Sequence, residues 1–190
     1  MSIELIIVLV VVGVIALFVI GIYNSLVQKR NRIEEALGQI QVQLKRRHDL
    51  IPNLINAVKG YMQFEQSVLT AVTEARAGAI AAGAKGVAEQ SQAEGMLTQA
   101  LRSLFAVVEN YPELKANQNV LSLQEELTTT ENQISFSRQH YNASVLDFNN
   151  SIQVFPNNLL AGMFGFTRRD FFEAEIEAAT PPTVDLSLSS

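Results

Sequence analysis

The chain has 190 residues and a formal net charge of -5, is 48% hydrophobic, and contains no cysteine and no tryptophan. Without cysteine there is no disulfide framework, thiol nucleophile or Cys-ligated metal centre, and with only His48 and His140 a metal site would have to be assembled with carboxylates. The acidic balance argues against nucleic-acid binding, and bulk drawn from Leu, Ile, Val and Ala suits helix packing.

The first element is the run LIIVLVVVGVIALFVIGI, residues 5–22, which carries no charge. At about 1.5 Å per residue it is just long enough to cross a hydrocarbon core, so it is expected to be a transmembrane helix. Leu5, Ile6, Val10, Gly13, Leu17, Phe18, Gly21 and Ile22 mark this membrane anchor, and Gly13 and Gly21, eight apart on roughly one face, would admit a neighbouring span. A cleaved signal peptide would show a basic region in front and small residues behind; here Glu4 precedes the run and Tyr23-Asn24-Ser25 follows it. Lys29, Arg30 and Arg32 directly after the span set the topology by the positive-inside rule: a short N-terminus (residues 1–23 with the span) outside, the rest in the cytoplasm of a bacterial inner membrane. The same run resembles the N-terminal helix of type IV pilins, with Glu4 as the docking glutamate. That remote reading expects a basic leader and a β-sheet head, neither of which the sequence offers.

Behind the span, Ile33, Leu37, Ile40, Leu44, Ile51, Ile55, Val58, Met62, Leu69 and Val72 recur mostly at three or four residues, the stripe of one long helix over 24–77. Pro52 removes a backbone donor and favours a kink in that helix, the alternative being a break with a new helix capped by Asp49. Arg47, His48 and Glu65 interrupt the stripe as a polar seam, a use of polar residues that fixes register and partner choice. The glycine- and alanine-rich segment 78–95 reads as a mobile connection, because each glycine costs a helix about 1 kcal/mol relative to alanine. A helix over 96–110 follows, then a long helix over 117–155 with Leu123, Leu127, Thr130, Ile134, Ser137, Tyr141, Val145, Phe148 and Ile152 on its stripe. The expected fold is all-α: a transmembrane helix continuing into a cytoplasmic antiparallel bundle of long helices over 24–178.

A short helix at Asn157 to Met163 opens the Phe-rich segment 156–178. Phe155, Leu159, Leu160, Phe164, Phe166, Phe171 and Phe172 are more apolar surface than a solvated tail can carry. Packing back over the bundle is one use; contact with a second subunit or with lipid, helped by Arg168 and Arg169, is the other. Asp170, Glu173, Glu175, Glu177 and Asp185 make this end acidic, and 179–190 reads as a flexible tail.

No phosphate loop, H-E-x-x-H or nucleophile elbow occurs, and the doublets Glu34-Glu35 and Glu125-Glu126 point about 100° apart on their helices, too divergent for paired-carboxylate chemistry. No catalytic residue, cofactor or metal is called for.

The blocks YNSLVQKRNRIEEALGQIQVQLKRRHDLIPNLINAVKGY, NYPELKANQNV and FPNNLLAGMFGFTRRDFFEAE resemble, in order, those of the LemA family. Departures are small: His48 stands where Tyr is common, Val120 where Phe is usual, and Pro182-Thr183-Val184-Asp185-Leu186 replaces the usual ending. The resemblance implies a single-pass bacterial membrane protein with a helical cytoplasmic domain and no established enzymatic activity. It also implies membrane organisation, since a relative takes part in forming magnetosome membranes. The expected function is a non-enzymatic scaffold that binds the bilayer and associates with itself. The alternative is an adaptor for a membrane protease or another membrane client.

Overall fold

The computed structural model describes residues 2–62 and 65–172, so the acidic residues from Glu173 onward and the tail over 179–190 lie outside the described residues. Among the described residues there are six helices and no strand: α1 (Ile3–Lys59), α2 (Gln66–Ala82), α3 (Val87–Val108), α4 (Pro112–Lys115), α5 (Gln118–Ser151) and α6 (Asn157–Met163). The all-α expectation holds, and the β-bearing head of the pilin reading is absent from these residues.

The chain divides into two compact units, with boundaries inside α1 and α5. The first, Met1–Leu50 with Glu125–Phe171, is built from the two ends of the described chain. On α1 the stripe Leu26, Ile33, Ala36, Ile40 and Leu44 is buried; on α5 so are Leu127, Thr130, Ile134, Tyr141, Val145 and Phe148. Each Leu or Ile enclosed in this way contributes roughly 1.5–3 kcal/mol, so these stripes hold the unit together. The ion pairs between the helices give their direction. Lys29 meets Asp147 near one end, while Arg46 meets Glu126 at 3.7 Å and Arg47 meets Glu131 at 2.8 Å near the other. Rising numbers on α1 against falling numbers on α5 make the two antiparallel.

Arg47 is the largest fully enclosed side chain among the described residues, at 1% relative exposure. It lies in the buried stripe of α1, and Glu131 on α5 pairs with it. His48 is half-buried beside it, whereas Glu65 belongs to the second unit, in the connection before α2. The three residues therefore do not form one seam on one helix. The reason is Gly60: α1 stops at Lys59, residues 60 and 61 form a turn, and the helix expected over 24–77 becomes α1 and α2. Pro52 lies inside α1, so no new helix starts at Asp49, whose carboxylate instead bridges to Lys45 one turn back.

The second unit comprises Ile51–Gln124 with Phe172–Ser190, of which Phe172 alone beyond the first unit is described. Its main feature is a hairpin of α2 packed on α3, joined by residues 83–86. The segment 78–95, expected as a mobile connection, is thus mostly helix, because Ala79, Ala82 and Ala93 are buried and close helix packing rewards small side chains. Only Gly86 keeps the punctuating role: its φ of 135° and ψ of 171° lie in a region essentially closed to other residues. α3 begins at Val87 rather than 96 and buries Gln90, Ser91, Glu94 and Thr98. Further on, Pro112 opens α4 at a position where its missing N–H costs nothing, and Asn117 caps α5 by accepting hydrogen bonds from the amides of Asn119 (3.0 Å) and Val120 (3.4 Å).

The Arg47–Glu131 pair predicts an asymmetric mutational response. Glu131→Ala takes one partner from an enclosed guanidinium and should cost about 1–3 kcal/mol in chemical denaturation, whereas Arg47→Met, which removes the charge and keeps the volume, should cost under about 1 kcal/mol. Equal losses from both would show that the pair itself supplies net stability.

Candidate functional site at the end of the membrane span

α1 opens with the one segment among the described residues long and apolar enough to cross a membrane, and none of it is buried within the protein. Gly13 and Gly21 face open space. The span passes without interruption into Tyr23, then Leu26, the first buried residue. Around Tyr23 the chain's C-terminal segment returns, so this junction is where the Phe-rich stretch has to be placed.

α6 ends in a Schellman arrangement. Phe164 donates its N–H to the Leu160 carbonyl, Phe166 donates to Ala161 at 2.9 Å, and Gly165 between them has φ of 71°. Only a left-handed residue lets the chain reverse there, and glycine adopts that state without a Cβ penalty. The reversal brings Phe166 inward. Its ring lies 5.9 Å from Tyr23 and 6.3 Å from Phe148, and the Arg30 guanidinium sits 5.7 Å over its face. Phe164 meets Tyr23 edge-on at 4.9 Å. Aromatic edges and a cation over a ring face are favourable because the ring carries negative charge on its faces and positive charge at its rim.

From Phe166 the chain runs on as an extended strap between α1 and α5. Asn149 grips it at both groups of one residue, donating from Nδ2 to the Arg169 carbonyl and accepting the Arg169 N–H at Oδ1, each at 2.9 Å. The Arg169 side chain reaches Glu34 on α1 at 3.9 Å, and the Tyr141 hydroxyl donates to the Asp170 carbonyl at 2.9 Å. Burial first, then the nearby Asp170 carboxylate, push the Tyr141 phenol above its ordinary pKa of 10.0, with Arg169 opposing. The strap has no backbone ladder of its own, so the Asn149 and Tyr141 side chains supply partners for its part-buried carbonyls.

The Phe-rich set therefore splits. Phe166 is half-buried in the collar around Tyr23 and Phe172 is enclosed, while Phe155, Leu159, Phe164 and Phe171 stay exposed and Leu160 is intermediate. Of the topology-setting cations, Lys29 pairs with Asp147 and Arg30 covers Phe166, while Arg32 is exposed. Asn149 escaped the sequence reading because a helical asparagine beside a core phenylalanine looks like surface. Glu94, fully enclosed in α3, escaped because its segment read as a connection. Among the described residues no cluster of His, Asp and Glu is placed to hold a metal ion.

This arrangement of a span, a continuous first helix and a returning C-terminal strap accompanies a match of the LemA family profile to residues 36–186. The chain belongs to the LemA family. Similar proteins include Protein LemA of Metamycoplasma hominis, 28% identical over 178 residues that cover 92% of this chain and 80% of that one. Magnetosome protein MamQ 2 of Paramagnetospirillum magneticum is 26% identical, covering 84% of this chain and 67% of its own. Magnetosome protein MamQ of Magnetospirillum gryphiswaldense is 25% identical with the same coverage. The family match begins after the span, so this LemA-type protein owes its membrane assignment to residues 5–22 independently of the profile.

Two substitutions test the strap. Gly165→Ala should cost about 1–2 kcal/mol through the left-handed backbone alone, and Asn149→Leu about 2–3 kcal/mol, the sum of two lost hydrogen bonds in a buried setting, both read in denaturant titrations of detergent-solubilised protein. The alkaline limb provides a third readout. Because the folded Tyr141 pKa lies above the unfolded one, its contribution is complete below about pH 10 and is lost as pH rises through the folded value, so Tyr141→Phe should remove that share of the alkaline destabilisation.

Proposed function

We propose that this LemA-family protein is a non-enzymatic, single-pass membrane scaffold that associates with itself, its N-terminus outside and its helical units in the cytoplasm. The observation that carries the reading is the unbroken passage of α1 from an apolar span into a helical unit whose enclosed polar residues, Arg47 with Glu131 and Asn149 with the strap, are used to hold helices and chain together. Lys29, Arg30 and Arg32 behind the span support the orientation. Relatives that carry the name Magnetosome protein support a membrane-organising role by analogy.

Self-association is supported by the span itself. Gly13 and Gly21 lie on roughly one face with nothing near them, which allows a second helix to approach closely in lipid, where packing replaces the hydrophobic effect as the driving force. A kink at Pro52 would belong to the geometry of such an assembly.

Full-length protein extracted in mild detergent should run as a regular particle of many copies by light scattering, and replacing Gly13 and Gly21 with Leu should reduce its size. A monodisperse monomer would sink the scaffold and favour a membrane-anchored adaptor, whose protease or other client would then be sought by crosslinking in membranes.

A further inference from the structure

α6 is built inside out. Its enclosed residue is Ala161, at 3% exposure, while Leu159 at 62% and Met163 at 78% project from the other side. Both are two positions from Ala161, and at about 100° per residue two positions place a side chain roughly 160–200° around the helix. Just before α6, Val154 and Phe155 are exposed at 53% and 77%. In water this is an unfavourable use of large apolar side chains, and they fall within one ten-residue stretch rather than being scattered.

The position of this surface along α1 says what covers it. Phe164, the cap that follows α6, has its ring 4.9 Å from Tyr23, the first residue past the apolar span. An independent register agrees. α5 runs antiparallel to α1 with Asp147 beside Lys29, so four further residues bring Ser151, the last of α5, level with about Ser25, and the chain beyond it toward the span. A bilayer crossed by residues 5–22 therefore has its headgroup boundary at the height of α6. Tyrosine is enriched at that boundary because its ring is apolar and its hydroxyl polar.

We propose that α6 and the two residues ahead of Pro156 form an interfacial foot: Val154, Phe155, Leu159 and Met163 enter the headgroup–acyl boundary of the leaflet from which the span emerges. The occupant of this surface is lipid. The proposal rests on the reading of residues 5–22 as a membrane span, and adds a second, non-spanning contact supplied by the far end of the chain. An amphipathic segment of this kind is held by buried apolar area and helped by nearby cations, here the exposed Arg168. The foot and the span are fastened to each other through Tyr23, Phe164 and Phe166, so tilting the first unit would lift one side chain set from lipid while pressing the other in.

The absence of cysteine makes the test direct. Four single-cysteine variants of the full-length protein, Val12→Cys, Val42→Cys, Leu159→Cys and Met163→Cys, all at exposed positions, are labelled with a small fluorophore in vesicles of phosphatidylethanolamine and phosphatidylglycerol. Unchanged helical circular dichroism checks that each is folded. The fluorophores at 159 and 163 should be quenched several-fold more by nitroxide carried near the headgroup end of the lipid chains than the one at 42, and several-fold less by aqueous iodide. Quenching at 159 and 163 by iodide alone overturns the foot, and protection from both quenchers overturns it in favour of a contact between copies. Position 12, midway along the span, is read with nitroxide carried deep on the lipid chains and separates the two readings: if it resists that quencher, the span assignment has failed and the foot falls with it, whereas quenching at 12 without shallow lipid quenching at 159 and 163 leaves the span standing and removes the foot alone.

Discussion

Because no turn separates the apolar run from Leu26, the rotation and height of the first packed side chains are set by the same backbone hydrogen bonds that satisfy the span. In lipid those bonds are obligatory, since an unpaired N–H or carbonyl there costs several kcal/mol. Tyr23, Leu26, Arg30 and Ile33, three to four residues apart, accordingly present one face at a fixed azimuth. A flexible linker would have uncoupled the first unit from the bilayer. A continuous helix makes the unit's orientation a property of how the span sits in lipid, and the partners around Tyr23 are arranged against that given frame.

The forces in the collar divide by function. Enclosed Leu26, Phe148 and Ile152 supply the apolar burial. The ion pairs Lys29–Asp147 and Arg169–Glu34 are partly solvated, and such pairs are worth about 1 kcal/mol or less each. Their contribution is to fix sliding and direction. The two-point grip of Asn149 on Arg169 specifies a single backbone position on the strap, which burial alone does not do.

Much of this was legible in the sequence. The span, the all-α class and the short helix at Asn157 to Met163 follow from charge-free length, from three- and four-residue spacing, and from the turn residues around Pro156. Arg47 showed itself by interrupting an apolar stripe. What stayed hidden depended on partners distant in sequence. Gly60 ends α1 where the stripe itself continues, and the Ala- and Gly-rich segment is helical because α2 and α3 pack on each other, a tertiary gain that local propensity does not contain. The division of the phenylalanines was hidden for the same reason: composition says that they need cover, while Gly165 decides which of them turn inward.

The first unit is made from residues 1–50 and 125–171, with the segment 51–124 between them belonging to the other. During synthesis α1 reaches the membrane while its apolar face, with Ile33, Ile40, Leu44 and the charged Arg47, still lacks the helix that will cover it. The α2–α3 hairpin, whose contacts are local, has everything it needs much earlier, and local contacts close faster than distant ones. The unit that carries the span is thus completed last. For the interval in which the ribosome is still making α5, this basic and apolar helix surface has no cover from its own chain, the kind of transiently exposed surface on which aggregation starts.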